Sequence, residues 1–60
     1  MEKRLTSTEK IAIYLDLTVD NINELVGRGQ IPFIALGNFV KFDILQIDTW
    51  IEENTVNAGK

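Results

Sequence analysis

The polar residues between Thr18 and Arg28 are of the types that make directed hydrogen bonds, and they lie off the apolar stripe of a helix. Asn21 and Asn23 each carry an amide that both donates and accepts, a pairing that suits the adenine edge in a major groove. Asp20 and Glu24 only accept. Such carboxylates either take a bond from a cytosine amine or pair with a nearby cation, and Arg28 stands four residues after Glu24. Arg28 and Lys41 are the best candidates for phosphate oxygens, and Lys3, Arg4 and Lys10 add to them if the fold gathers them on one side.

Nothing comparable supports catalysis. The chain has no histidine and no cysteine, which removes the commonest general base and every thiolate ligand or disulfide. The acid pairs Glu52 with Glu53 and Asp16 with Asp20 read as solvated faces. The segment Gly27-Arg28-Gly29 follows a helix instead of preceding one, so it is no phosphate-cradling loop. The expectation is a chain that is not an enzyme and takes no metal, no cofactor and no small-molecule ligand.

The element that must present the polar residues is a short helix from about Thr18 to Arg28. Thr18 is a good N-cap, and Val19, Ile22, Leu25 and Val26 fall on one helical face. Gly29 can take the left-handed conformation past the last turn, and Pro32 cannot continue a helix. A second helix precedes it. Thr6 and Glu9 have the spacing of a capping box, Leu5 can staple onto the helix, and Ile11, Ala12, Tyr14 and Leu15 supply a buried side with Ile13 at the core's edge. Asp16 and Leu17 form a tight turn between the two helices. Asp16 tolerates a left-handed backbone better than most residues, and Leu17 is expected to point inward.

Beyond Pro32 the pattern changes period. Ile31 to Leu36 and Phe39 to Phe42 read as two strands around a Gly37-Asn38 hairpin turn. Phe33, Phe39 and Phe42 cannot all point inward in so small a domain, and Val40 and Phe42, or their neighbours, are expected to divide between core and rim. Asp43 then caps a last helix, with Gln46 completing a second capping box. Ile44, Ile47, Trp50 and Ile51 repeat at helical spacing, and Trp50 is expected to be the largest core contributor. The fold class is mainly α with a small β-hairpin, in the order helix, turn, helix, hairpin, helix. The domain is expected over residues 5–54, with a disordered tail over 55–60.

Sixty residues suit one domain that buries only about 60% of its unfolded surface and keeps a margin of a few kcal/mol. No apolar run approaches the ~18 residues of a membrane span, and the start lacks a signal-peptide core, so a soluble, cytoplasmic protein is expected. Nine acidic residues against six basic ones give a net charge of −3. Phosphate-binding domains of this size are usually basic, so this balance weighs against strong binding by an isolated copy.

The stretches LTSTEKIAIYL, LTVDNINELVGRGQIPFIALGNFVKF and DILQIDTWI, in that order, resemble the excisionase/MerR-type winged helix-turn-helix family. The likeness covers Leu5 to Glu52 and rests on the RGQIP segment, the Gly37 wing and Trp50. It implies a winged helix-turn-helix with a recognition helix in the major groove of double-stranded DNA. The wing around Gly37, Asn38 and Lys41 would lie over the adjacent minor groove or backbone. Carried over by position, the DNA contacts are Thr18, Asn21, Asn23, Arg28, Asn38 and Lys41. Family members usually hold arginines within the recognition helix and at the wing tip, where this chain has Glu24, Gly27, Asn38 and Phe39.

The function this implies is sequence-specific binding of double-stranded DNA. The chain would act as an excisionase-like architectural factor in DNA recombination or as a small transcriptional regulator of a phage or mobile element. Partners would be the DNA, an integrase or neighbouring copies of the same chain, with no membrane involved. The competing reading is a winged-helix protein-interaction module that has lost DNA binding, motivated by the acidic helix face and by Ile13, Phe33 and Phe39.

Overall fold

Ser7 starts the first helix, since its backbone is extended and its hydroxyl accepts from the Lys10 amide at 3.3 Å. The computed structural model describes residues 4–56. Lys3 and residues 57–60 of the expected tail lie outside the described residues. Within them the elements are β1 (Leu5–Thr6), α1 (Thr8–Leu15), α2 (Val19–Gly27), β2 (Ile34–Leu36), β3 (Phe39–Asp43) and α3 (Ile44–Glu53). The architecture is the expected mainly α fold with a small antiparallel sheet, broadly compatible with a winged helix. The helix cap expected at Thr6 falls instead on Ser7, because Thr6 is committed to β1, where it pairs with Phe42.

The sheet has three strands in the order β1-β3-β2. The hairpin β2–β3 matches Leu36 with Phe39 and Ile34 with Lys41 across a two-residue Gly37-Asn38 turn. Gly37 has φ +62 while Asn38 stays on the negative side, as a type II′ turn requires. β2 is shorter than expected at its start. Pro32 offers no N–H to a ladder, so Ile31, Pro32 and Phe33 run outside the strand, yet Ile31 is buried and closes the core from the loop. β1 is the strand the hairpin-only expectation lacks. It pairs Leu5 with Asp43 on the far side of β3, and the Arg4 carbonyl accepts from the Ile44 amide at 3.1 Å.

The two helices of the helix-turn-helix end on the same device. After α1, Asp16 has φ +58; its amide donates to the Ile13 carbonyl at 3.1 Å and the Leu17 amide donates to Ala12 at 2.8 Å. After α2, Gly29 has φ +67; its amide donates to Val26 at 3.0 Å and the Gln30 amide donates to Leu25 at 2.9 Å. Both patterns satisfy carbonyls of the last turn through one left-handed residue. An L side chain in that conformation costs about 1 kcal/mol. Asp16→Gly is therefore expected to raise stability by roughly 0.5–1 kcal/mol and Gly29→Ala to lower it by about 1 kcal/mol. Thermal unfolding checks this pair: the midpoints should move in opposite directions by about 4–8 °C per kcal/mol.

The core is Ile11 and Ala12 from α1, Ile22 from α2, Ile31, Phe42 from β3 and Ile47 from α3, with Leu15, Leu25, Val26, Ile44 and Trp50 packed around them. Phe42 is the largest fully buried side chain, and Trp50 is only partly buried. The indole N–H needs an acceptor and finds the Gln30 carbonyl at 2.9 Å, which holds the ring at the margin. Trp50 thereby ties α3 to the segment that leaves α2. Val40 shares its face of β3 with Phe42 but stays 37% exposed while Phe42 is fully buried, and Phe33 and Phe39 are exposed.

Three expected core contacts are absent. Ile13 is 80% exposed, so it is no edge-of-core residue. Tyr14 is half exposed and spends its hydroxyl on Asp48 of α3, a bond that raises the phenol pKa above its ordinary value. Leu17 remains exposed, because its amide closes the α1 cap and its side chain lies in a groove beside Asn21 and Leu25. Among the described residues no helix is long and apolar enough to cross a membrane.

Candidate nucleic-acid interface

α2 begins with a reciprocal cap. The Thr18 hydroxyl accepts from the Asn21 amide at 3.1 Å, and the Asn21 side-chain oxygen accepts from the Thr18 amide at 3.2 Å. Two of the six candidate contact residues are therefore spent first on starting the helix. The Asn21 side-chain NH2 and the Thr18 hydroxyl proton are left to donate outward. Asn23 stands exposed on the following turn.

Arg28 closes the other end. Its guanidinium meets the Glu24 carboxylate at 2.8 Å, with side chains 64% and 58% exposed. An ion pair this wet is worth little to stability. Its weight is electrostatic: it cancels the one cation that α2 and its cap carry, and Asp20 adds a further negative charge at the helix start. Asn21, Glu24, Leu25 and Arg28 line an open pocket of about 360 Å³ together with Leu17 and Gln30. The face of α2 is thus shaped for hydrogen bonding but carries a net negative charge.

The wing places Asn38 at its exposed tip and Lys41 half-buried two pairs down the ladder, opposite Ile34. Beside Asn38, Phe39 is 68% exposed. The tip carries no charge, so Lys41 is the wing's whole positive charge.

No family model, no curated protein and no solved structure matches this chain. Its reading rests on its own residues.

One grouping is not visible in the sequence. Lys41 of β3 meets Lys10 of α1 across a pocket of about 360 Å³ that is also lined by Leu5, Thr6 and Ser7. Lys10 and Lys41 are thirty-one positions apart, and what joins them is β1. Pairing Leu5 with Asp43 and Thr6 with Phe42 carries Ser7 alongside Lys41 and delivers the first turn of α1 to the same place. A two-residue strand leaves no alternation to detect, so only the fold reveals the pair. Arg4, the remaining described cation, is bound by Asp43. That carboxylate is almost fully buried, also caps α3 by accepting from the Leu45 amide at 2.9 Å, and is held below the ordinary aspartate pKa by the Arg4 bond above all.

Proposed function

We propose that this chain binds double-stranded DNA as a winged helix-turn-helix domain of the excisionase/MerR type. The observation that carries the reading is the pairing of a capped helix on a tight turn with a separate hairpin wing, both exposed on one small domain. α2 is about the right size for a major groove, which admits a single helix, and the wing would reach the neighbouring backbone or minor groove. Thr18, Asn21 and Asn23 would read bases or fix register, Arg28 and Lys41 would meet phosphates, and Asn38 would sit at the wing contact. Such a domain would act in the cytoplasm in recombination or transcription, beside an integrase or further copies of itself, and would carry no catalytic step.

The acidity of α2 makes a specific claim testable. Glu24 neutralises Arg28 and faces the same groove, so Glu24→Gln is expected to tighten binding to any duplex several-fold at low salt. Arg28→Ala should weaken it and reduce the salt slope by about 0.9. Fluorescence polarisation with a labelled duplex from the gene's own neighbourhood, over a salt series, measures both. Absence of binding at the lowest salt would refute the reading.

A second reading is favoured by one observation, the exposure of Ile13 on α1 and of Phe39 on the wing. In it the fold is a protein-interaction module. It requires a complex with a protein partner that perturbs those residues while duplex DNA leaves the spectrum unchanged.

A further inference from the structure

Of the four described cations, two are already answered: Arg4 by Asp43 and Arg28 by Glu24. Lys10 and Lys41 have no ion pair among the described residues, and they converge on one pocket. In a chain of net charge −3, two lysines on one pocket make a local positive site that favours an anion. None of the five lining residues is acidic. Thr6 and Ser7 add hydroxyls, and Ser7 accepts from the Lys10 amide, which leaves its proton free to donate.

We propose that this pocket, between β1, the first turn of α1 and β3, is a phosphate site. Lys10 and Lys41 supply the charge, and the hydroxyls of Thr6 and Ser7 direct the oxygens. Two ammonium groups and two O–H donors match a tetrahedral oxyanion of charge −1 to −2, and the volume of about 360 Å³ admits one such group open to solvent. The phosphate comes either from a nucleic-acid backbone or from a free phosphate compound. As a backbone contact it rests on the duplex reading above; as a phosphate site it does not. In the backbone case the domain is anchored from α1 and β3, and α2 contributes register and base contacts despite its own negative charge.

The test uses the full chain, K10Q, K41Q, the double variant and the double Lys→Arg variant, each first confirmed folded by its amide spectrum. Duplex binding is followed over a salt series, and inorganic phosphate is titrated with amide shifts as the readout. For a backbone site, each Lys→Gln change lowers the salt slope by about 0.9 and affinity at 0.1 M salt by roughly ten-fold, and the Lys→Arg variant restores both. For a free-phosphate site, inorganic phosphate shifts the amides of Thr6, Ser7, Lys10 and Lys41, and the double Lys→Gln variant abolishes those shifts even where no duplex binds. Those shifts together with no duplex binding at the lowest salt would end the duplex reading and keep the site. Unchanged duplex affinity and slope in the double variant, with no phosphate shifts in the native chain, would overturn the site and leave the duplex reading standing.

Discussion

Phe42→Ala is expected to leave most of the chain unfolded at 25 °C. Phe42 is fully buried near the end of β3, the strand that holds both β1 and β2, and it belongs to the one cluster that joins α1, α2 and α3. Removing a buried phenyl ring costs about 3–5 kcal/mol, the lost transfer energy plus the cavity left behind. A single hydrophobic core in a chain of sixty residues rarely supplies more than about 3–5 kcal/mol, so this loss matches the whole margin. Phe39→Ala supplies the contrast, since that ring is exposed on the wing and its loss should change stability by less than about 0.5 kcal/mol. Urea titration followed by Trp50 fluorescence reads both: a normal midpoint for F39A and a shallow or missing transition for F42A. A cooperative, near-native midpoint in F42A would mean that the core lies elsewhere.

The second large effect is expected at Asp43, which holds three things at once. It pairs with Leu5 in the sheet, accepts from Leu45 at the start of α3, and binds Arg4. Asp43→Ala removes the cap and the ion pair and leaves Arg4 without its partner, so it should be the most damaging change outside the apolar core. Asp43→Asn keeps a capping oxygen and loses only the charge. Because the folded state holds this carboxyl below its ordinary value of 3.8, its contribution is present above that value and is lost as pH falls through the lower folded-state value. The stability difference between native chain and D43N should therefore be constant near neutrality and close in acid. Denaturant midpoints from pH 7 to pH 2 measure it. A difference that persists unchanged at the acid end would show that the charge on Asp43 is not what stabilises the fold.

Local signals account for what the sequence makes legible. Thr18 at one end of α2 and Gly29 with Pro32 at the other act within a turn of their own positions, and the apolar spacing of Ile22, Leu25 and Val26 needs no knowledge of the partner surface. The Gly37-Asn38 turn is equally local. The hidden parts depend on pairing at a distance. β1 is two residues long and becomes a strand only because β3 lies beside it; that pairing takes Thr6 and hands the helix cap to Ser7. Trp50 reads as core from spacing alone, and its placement at the margin follows from an acceptor twenty positions away. The same holds for the candidate site. Asn21 looks available in the sequence but is engaged in the cap, whereas the pairing of Arg28 with Glu24 is legible from their spacing of four. Lys10 gains its importance only from where β3 brings Lys41.

These placements alter the electrostatic account of the interface. The helix that carries the hydrogen-bonding residues has the cation at its cap cancelled, and among the described residues the positive charge without an ion pair lies on α1 and β3. On the proposed duplex reading, base contacts would fall to α2 and phosphate contacts to α1 and β3.

The most direct test of the central claim is an amide-resolved titration of the full chain with a short duplex at low salt. The account predicts shifts on Asn23, Gly27 and Arg28 of α2, on Asn38 and Lys41 of the wing, and on Ser7 and Lys10, with α3 silent beyond Trp50. No shift at these residues at the lowest salt, or shifts confined to α3, would contradict it.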